Sequence, residues 1–467
     1  MAVKQAISAS GVESVLAPYP AAVAAGPFVF VSGVRPGSFR AAGEGFAALP
    51  EDARAREQGF SLADLQEGQV SADSWLCHRA LGAILEAAGA DETQVLRQHI
   101  WQKDKRYFPV YERVRMVAQP APAPSSGLGV SAVPGRGGRW IGLDAIAVRP
   151  GIDARFPARQ MVAAPDHESL PSASHYAQAV RSGPLVMLAG HIPIRTTAPG
   201  KPVVRGFDDV PEEGRFLATG RSHPDSRDGP IAAQVWYTYS EIGKTLGQMG
   251  AGFKDIAHIS VFLQRHTDFP TFHRVHRHFF GDSGPALCVT EFDEVGHKGC
   301  LIEIEPTAVL PGHGLSTASV PWSFPAPFAA PAARRAGPLL FVSGMVGLNA
   351  AGQLIQSTGE LETPMRGAAA RSAAGEPTPG LAVQAHAAFD RLGQVLAAAG
   401  LAFDDVVNLR VYLRSVAEWP TFEAVRSEYL GGALPACELV CIAHPGPVPE
   451  AAVQIDAIAY DARDIGK

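Results

Sequence analysis

The densest group of side chains that could do chemistry is the stretch FHRVHRHFF, which carries His273, His276 and His278. On a helix His273 and His276 would share a face, because residues three apart are neighbours there, so two metal ligands are conceivable. No third ligand stands at a spacing typical of a metal motif, and we predict no metal site and no cofactor. A histidine such as His273 could instead act as a general base near neutral pH.

Arginines and cysteines supply further candidates. Arg35 and Arg195 follow two similar glycine-led strands and Arg410 lies in a predicted strand; a planar guanidinium can bind a carboxylate through two hydrogen bonds. We predict substrate contacts for Arg35 and Arg195, and also for Cys288 and Cys437. A nucleophilic cysteine needs an adjacent base or a positive dipole, which the sequence does not reveal, so a buried structural role is the alternative for both cysteines.

The bulk composition narrows the class of protein. The chain has 467 residues, of which 46% are hydrophobic and 18% charged, as in globular proteins, and it is long enough for about three domains. The formal net charge of −6 argues against nucleic acid or an anionic membrane surface as a partner. The five cysteines show no CxxC spacing, and no apolar run has the length of a signal peptide or a membrane span, so we expect a cytoplasmic protein.

An internal repeat organises the chain. The stretches GPFVFVSG, GPLVMLAG and GPLLFVSG begin at Gly26, Gly183 and Gly337. Three further anchors follow each copy in the same order: a helix end (ILEAAGA, LGQMGAG, LAAAGLA), a proline motif (RYFPVYERV, TDFPTFHRV, AEWPTFEAV) and a closing strand (WIGLDAIAV, LIEIEPTAV, VQIDAIAY). Each copy is long enough to carry its own core, and we place domains at 1–150, 160–311 and 320–463, joined by extended linkers rich in Pro and Ser.

Within a copy, periodicity predicts the order ββ-α-β-α-ββ, an α+β unit with its helices on one face of a sheet. The helix before Gly250 has apolar residues at spacings of three and four, and Gly250 stands where a helix-ending glycine belongs. The proline motif starts the second helix, where a missing N–H does no harm. In the closing strand, Ile302 and Ile304 alternate with Glu303 and Glu305.

At these motifs the chain resembles the YjgF/YER057c/UK114 family, the reactive-intermediate deaminases known as RidA. The second copy is most similar, with HYAQAVRSGPLVMLAG, FPTFHRVHRHFF, GPALCV and IEIEPTAV. Members of that family form homotrimers whose sheets close a central barrel, with ligand clefts between subunits. The resemblance therefore implies three tandem RidA-like (chorismate-mutase-like) domains that form a single-chain pseudo-trimer with a central β-barrel, which could be monomeric. Fusion would also let the three clefts diverge.

The resemblance implies hydrolysis of a carboxylate-bearing imine or enamine to a ketone and ammonia. In the family the arginine of a Pro-Ala-Arg motif clamps the carboxylate, but Ser126, Leu287 and Cys437 stand at the equivalent positions here. This departure puts the usual activity in doubt.

The other family positions are kept unevenly. The family tyrosine corresponds to Tyr19 and Tyr176, and the closing-strand glutamate that can orient a water corresponds to Glu303, with Gly142 and Gln454 in the other copies. The family serine corresponds to Ser32 and Ser343, with Ala189 in the second copy. The family asparagine corresponds to three candidate acid–base residues, Glu112, His273 and Glu423.

We therefore predict a RidA-like hydrolase or deaminase that acts on a C–N bond of a small carboxylated metabolite at one cleft between domains. Glu303, or Glu112 or Glu423, would activate water, and Tyr176 and a serine would orient the substrate. The first alternative is a non-catalytic small-molecule-binding pseudo-trimer, which the loss of the arginine in all three copies favours. A second is another reaction on a similar scaffold, such as ring-amide hydrolysis, although the repeated lysine of three-repeat ring-amide hydrolases is missing here.

Overall fold

The chain folds into three six-stranded sheets, each with helices against one face. The computed structural model describes residues 4–38, 51, 68–135, 140–162, 175–195, 198–200, 202–218, 229–315, 317–372 and 380–464. The sheets with their helices are called unit 1, unit 2 and unit 3 in chain order. The repeat seen in the sequence is thus matched by three similar units of α+β structure.

The elements of the three units correspond one to one, except that unit 3 has one additional short helix. Unit 1 contains β1 Gln5–Ile7, β2 Ala22–Ala25, β3 Phe28–Val34, α1 Gly68–Ala87, β4 Val95–Gln102, α2 Phe108–Ala118, β5 Ser125–Gly129 and β6 Ile141–Val148. Unit 2 contains β7 Gln160–Val162, β8 Ala179–Ser182, β9 Leu185–Leu188, α3 Gly229–Gln248, β10 Ile256–Leu263, α4 Phe269–Phe280, β11 Ala286–Glu291 and β12 Ile302–Val309. Unit 3 contains β13 Thr317–Val320, β14 Ala333–Ala336, β15 Leu339–Val342, α5 Gly367–Ser372, α6 Leu381–Ala398, β16 Val406–Leu413, α7 Trp419–Arg426, β17 Ala436–Cys441 and β18 Val453–Tyr460.

The strand order is the same in each sheet: β1-β2-β3-β6-β4-β5 in unit 1, with the matching orders in units 2 and 3. The last two strands of each order run parallel, and the other neighbours run antiparallel. A parallel pair needs a crossover, which α2, α4 and α7 supply. In each unit, the edge strand β5, β11 or β17 therefore follows directly after the second helix in sequence.

The repeated Gly-Pro pair forms the turn of the first hairpin. Ala25 lies opposite Phe28 in the ladder, so the two residues between them make the whole turn. Gly26, Gly183 and Gly337 have φ of 52°, 56° and 57°, a region that glycine adopts without a Cβ clash. The predicted helix end at Gly250 and the prolines in the first turns of α2, α4 and α7 are confirmed.

Two features differ from the predicted order. Each unit begins with one more strand, β1, β7 or β13, which extends the sheet at its edge. Strands β7 and β13 lie in the Pro- and Ser-rich segments that were expected to be only linkers. These strands have three or four residues, too few for an alternating pattern to stand out from the surrounding sequence. The insertion of unit 3 also carries the short helix α5.

The two faces of each sheet have different partners. Ile302 and Ile304 face the helices of their own unit, as predicted from the alternation in β12. The opposite faces of the three sheets meet in two apolar clusters that take residues from all units; one of them joins Trp101, Phe262 and Tyr412. Strand pairing among the described residues gives three separate sheets and no closed barrel, so barrel closure stays a prediction. None of the described helices is long and apolar enough to cross a membrane.

Candidate functional site between the units

Two serine hydroxyls accept hydrogen bonds that join neighbouring units. The backbone N–H of Cys437 in unit 3 donates to Oγ of Ser32 in unit 1 (3.0 Å), and that of Leu287 in unit 2 donates to Oγ of Ser343 in unit 3 (2.9 Å). Each serine hydroxyl also donates a hydrogen bond to a backbone carbonyl of its own unit. The donor hydrogen of both predicted substrate-binding serines is therefore already used in a hydrogen bond within the protein. Ala189 has no hydroxyl, so the interface of units 1 and 2 lacks this link.

The three candidate acid–base residues of the second helices also connect units. Glu112 of unit 1 accepts from the backbone N–H of His175, and Nε2 of His273 in unit 2 accepts from the N–H of Ala329 (2.9 Å). Glu423 of unit 3 accepts from the hydroxyl of Tyr19 (2.7 Å).

Each of these three residues already has a partner within the protein. Glu112 and Glu423 are ion-paired with Arg115 and Arg426 one helical turn away, at 3.2 and 2.7 Å. The acceptor nitrogen of His273 is already occupied by a backbone N–H. These contacts favour a structural role for all three predicted residues, in place of the predicted catalytic one.

The interface of units 3 and 1 is filled by an ion pair. The Arg35 side chain is 1% exposed and donates through both terminal nitrogens to Glu438 of unit 3. A Cβ added at Gly142 would lie 2.5 Å from Nη1 of Arg35, so the arginine fills the space that a glutamate at this closing-strand position would need. Arg35, predicted to bind a substrate carboxylate, is bound to a carboxylate of the protein itself.

The interface of units 2 and 3 carries a neutral amide where the family glutamate would stand. Nε2 of Gln454 donates to Oδ1 of Asp456 (3.0 Å). Sγ of Cys288 contacts the carbonyl oxygen of Val342 at 3.5 Å. Burial first, and Asp456 second, raise the pKa of the Cys288 thiol well above its ordinary value. Burial does the same for Cys437, so neither predicted cysteine is a thiolate at neutral pH.

The remaining arginine and histidine candidates are Arg195, Arg410 and His276, and each has a partner within the protein. Arg195 forms an ion pair with Asp209 of its own unit at 3.1 Å. Arg410 lies in the buried layer between the sheets and forms an ion pair with Asp144 of unit 1 at 3.4 Å. His276 accepts from or donates to the hydroxyl of Tyr239 at 2.7 Å and does not join His273 in a metal site.

The interface of units 1 and 2 keeps the closing-strand glutamate. Glu303 lies on the face of β12 that points to unit 1, is 3% exposed, and accepts from the N–H of Gly296 (3.1 Å). A Cβ at Gly190 would lie 1.9 Å from Oε1 of Glu303 and 2.6 Å from Oγ of Ser126 in unit 1. A glycine at 190 is thus required for the carboxyl to fit. Burial raises the pKa of Glu303 to about 7, and Lys105 partly offsets this effect.

Lys105 is the cation of this cleft. It follows β4 of unit 1, and its backbone N–H donates to Glu294 of unit 2 (3.1 Å). Its Nζ donates to the carbonyl oxygen of Gly127 and lies 5.6 Å from the centroid of the Phe108 ring. Burial lowers the pKa of Lys105, and Glu303 acts in the opposite direction. The ammonium and the Glu303 carboxyl therefore influence each other across the interface.

Tyr176 lies beside the same carboxyl. Burial raises the pKa of its hydroxyl, and Glu303 is the next largest cause. The hydroxyl makes no hydrogen bond within the described part of the chain, whereas that of the equivalent Tyr19 is held by Glu423. Tyr176 is therefore close enough to Glu303 for the carboxyl to affect the pKa of its hydroxyl.

The pKa of a second carboxylate, two residues along β12, is shifted in the opposite direction to that of Glu303. Glu305 accepts from Oγ of Ser126 (2.6 Å) and lies 3.1 Å from Nε2 of His99 and 3.2 Å from Nε of Arg97, all of unit 1. Burial alone would raise its pKa, but Arg97 and His99 hold the pKa of Glu305 below its ordinary value. One strand thus presents a carboxylate that stays ionised next to Glu303, which titrates near neutrality.

Comparison with known proteins shows the family of the chain. The profile of the family described as Endoribonuclease L-PSP matches residues 217–310 and 325–461, in units 2 and 3. The chain belongs to the YjgF/RidA family. A RutC family protein of Pyrococcus abyssi is 28% identical over 133 residues, which are 28% of this chain and 84% of that protein. A RutC family protein of Pyrococcus horikoshii is 27% identical over 133 residues, 28% of this chain and 85% of that protein.

A solved structure is also similar to part of the chain. The YjgF/YER057c/UK114 family member from Mycobacterium tuberculosis has 26% sequence identity and a TM-score of 0.23, and the match covers 32% of this chain and 99% of that one.

Two parts of the cleft of this YjgF/RidA chain were missed by sequence reasoning. Lys105 belongs to the stretch KDKR, which has no counterpart in the other copies, and its approach to Glu303 depends on how two units meet. Ser126 was noted only as the residue that replaces the family arginine. Its hydroxyl in fact joins units 1 and 2 through Glu305. The only sequence signal for Lys105 was its position just before the proline motif.

Proposed function

We propose that this chain is a RidA-type hydrolase that releases ammonia from an imine or enamine of a small carboxylated metabolite, in the cleft between units 1 and 2. The observation that carries the proposal is the pair of glutamates on β12, whose pKa values are moved in opposite directions: up to about 7 for Glu303 by burial, and down for Glu305 by Arg97 and His99. Such a separation is a frequent mark of acid–base sites.

The side chains of the cleft support a simple sequence of steps. Glu303 takes a proton from water as the oxygen adds to the carbon of the C=N bond. The proton then passes to nitrogen, which gives a carbinolamine that carries a hydroxyl and an amino group on the same carbon. As the C–N bond breaks and the C=O bond forms, the hydroxyl proton is transferred through Glu303 to the leaving nitrogen, so ammonia and the carbonyl product leave and Glu303 is ionised again. Lys105 would bind the substrate carboxylate in place of the missing arginine, as a point charge and not as a fork. The hydroxyl of Tyr176 would orient the substrate.

Ammonia release tests the proposal directly. An amino-acid oxidase generates 2-imino acids in the assay, and ammonia is followed in the presence and absence of the protein. We expect the protein to accelerate ammonia release above the spontaneous rate for at least one imine. If no imine in a panel of apolar, polar and acidic side chains is turned over faster than in buffer, the hydrolase proposal is wrong.

A second candidate function is non-catalytic binding of a small molecule. It is favoured by the way the protein's own side chains fill the other two clefts, with Arg35 and Glu438 in one and Gln454 in the other. The name of the matched family refers to an endoribonuclease, but a net charge of −6 does not favour a polyanionic substrate. Thermal stabilisation by keto acids without ammonia release from any imine would support the binding role.

Replacing Lys105 with methionine separates substrate binding from chemistry. We expect KM for a carboxylated imine to rise by about 10- to 100-fold with a smaller change in kcat, since a hydrogen bond to a charged group is worth about 1.5–3 kcal/mol. Steady-state ammonia release over a range of substrate concentrations measures both constants. Lys103→Met is the matched control, because Lys103 is exposed two residues away, 5.7 Å from the Trp140 ring centroid. A fall in kcat at constant KM would contradict the binding role.

The proposal includes the assembly of the units. We propose domains at 1–150, 160–311 and 320–463 that together form a single-chain pseudo-trimer closed around a central barrel. The two apolar clusters shared by all three sheets support this arrangement, as do the serine and helix contacts that recur between neighbouring units. In such an assembly only the cleft of units 1 and 2 retains the glutamate.

A further inference from the structure

A cluster of metal-ligand side chains lies between units 2 and 3, outside the proposed catalytic cleft. His266 and Glu291 belong to unit 2, and His444 belongs to unit 3. Nδ1 of His266 is 2.7 Å from Oε2 of Glu291, and Nε2 of His444 is 3.8 Å from Oε1. The two imidazole rings have centroids 4.0 Å apart, and one ligand atom from each residue lies within 4.8 Å of the other two.

We propose that His266, Glu291 and His444 bind a divalent transition-metal ion, best satisfied by Zn²⁺, that links units 2 and 3. Two imidazoles and one carboxylate are a donor set that suits zinc, whereas calcium and magnesium prefer oxygen ligands alone. Tetrahedral bonds of about 2.1 Å place ligand atoms about 3.4 Å apart. The observed separations bracket this value, so small side-chain rotations bring the three donors to one ion.

A backbone hydrogen bond orients the Glu291 carboxylate. The backbone N–H of His266 donates to Oε2 of Glu291, which fixes the carboxylate beside the first imidazole. Such outer hydrogen bonds orient metal ligands and raise affinity. The side chains of His266, Glu291 and His444 are 22%, 15% and 40% exposed, so an ion can enter from solvent and keep a coordination position for water.

The positions of these residues in the repeat give an independent reason. His266 stands three residues before Phe269, as Lys105 stands three residues before Phe108. At the interface of units 1 and 2, Lys105 meets Glu294 of the next unit. At the equivalent place between units 2 and 3, His266 meets His444 of the next unit, and both imidazoles lie beside the Glu291 carboxylate. A shared metal ion would add a direct bond between the units there.

The next feature is the set of partners around His444. His444 makes no hydrogen bond within the described part of the chain. Arg414, one of the charged groups that affect His444, donates to the backbone carbonyls of Glu450 and Ala451, both at 3.0 Å.

Zinc binding by the intact chain tests this site without any assay of activity. Protein stripped with a chelator and dialysed is titrated with ZnCl₂ by calorimetry, and Co²⁺ is added separately to record visible absorption. We expect one strongly bound ion per chain and a cobalt spectrum of low coordination number. His444→Gln should weaken zinc binding by at least about tenfold, because even outer-shell partners of a metal are worth about 10- to 100-fold. His313→Gln, at an exposed histidine elsewhere, should leave binding unchanged.

The outcomes are distinct. Circular dichroism confirms that His444→Gln is folded, which we expect because this side chain is 40% exposed. Glu291→Gln gives a second variant that keeps the shape and removes the charge. The proposal is overturned if zinc does not bind, or if His313→Gln weakens binding as much as His444→Gln does. Failure of ammonia release would leave this result untouched, since the metal cluster and Glu303 lie at different interfaces.

Discussion

Replacing Glu303 with glutamine should reduce ammonia release by about 10²- to 10⁴-fold, the range typical for the loss of a general acid–base group. Glutamine keeps the shape of the side chain and can still accept from the N–H of Gly296, so the cleft should remain intact. It cannot take a proton from water. Comparison of kcat and KM for an imine with wild-type protein measures the effect, and Glu213→Gln, at an exposed glutamate of the same unit, is the control.

The pH dependence gives this prediction a second test. A general base must be ionised, and burial raises the pKa of Glu303 to about 7, so kcat/KM should rise as pH increases through about 7 and then level off. In Glu303→Gln any remaining rate should lose that step. A wild-type profile that is flat between pH 6 and 8, or a variant that keeps the same step, would mean that another group sets the rate.

The pH dependence of the unfolding free energy should reveal the raised pKa of Glu303 without any assay of activity. The folded pKa of Glu303 is raised from 4.5 to about 7, so the folded chain holds the proton more tightly than the unfolded chain does. Its contribution to folding is therefore fully present below pH 4.5 and is lost as pH rises through about 7. We expect the unfolding free energy of wild type to fall across this window relative to that of Glu303→Gln.

The repeat made most of the fold readable from sequence. Three copies of each anchor fix three equivalent units, and glycines such as Gly26 and Gly250 mark turns and helix ends because glycine adopts their positive φ values more readily than residues with a Cβ do. The alternation in β12 also predicted correctly which face carries the glutamates. The edge strands β7 and β13 were missed because a strand of three or four residues beside prolines has no periodicity of its own.

The clefts were harder to predict, because their contacts join residues far apart in the chain. Arg35 and Glu438 are 403 positions apart, and their pairing depends on the space that Gly142 leaves. Spacing along a single helix likewise points to His273 and His276 as possible metal ligands. The cluster of ligand side chains that the fold brings together instead includes His444 of another unit. A single sequence gives the residue at each family position, but not which side chain of the next unit it meets.

The buried ion pair between units 3 and 1 should be among the largest single contributions to stability that one substitution can remove. Arg35→Met leaves the Glu438 carboxyl buried without its partner, and we expect a loss of about 3–5 kcal/mol in the unfolding free energy. The arginine also donates to the carbonyl oxygens of Pro134 and Val34, both at 3.0 Å, and these acceptors lose a donor as well. Arg277→Met should change stability by no more than about 0.5 kcal/mol, because the Arg277–Asp282 pair is 52% and 77% exposed.

Removing both charges separates a requirement for the pair from a requirement for packing. In Arg35→Met with Glu438→Met, no charge is left buried, so most of the loss should be recovered, since apolar replacements of a buried pair are often neutral or stabilising. Denaturant unfolding of the four proteins gives the coupling energy, with tryptophan fluorescence and circular dichroism compared because three units need not unfold together. If Arg35→Met matches the exposed control, or if the double variant is no more stable than Arg35→Met, the pair does not hold units 3 and 1 together. Recovery in the double variant would instead show that the loss in Arg35→Met comes from the buried, unpaired Glu438 carboxyl and not from lost packing.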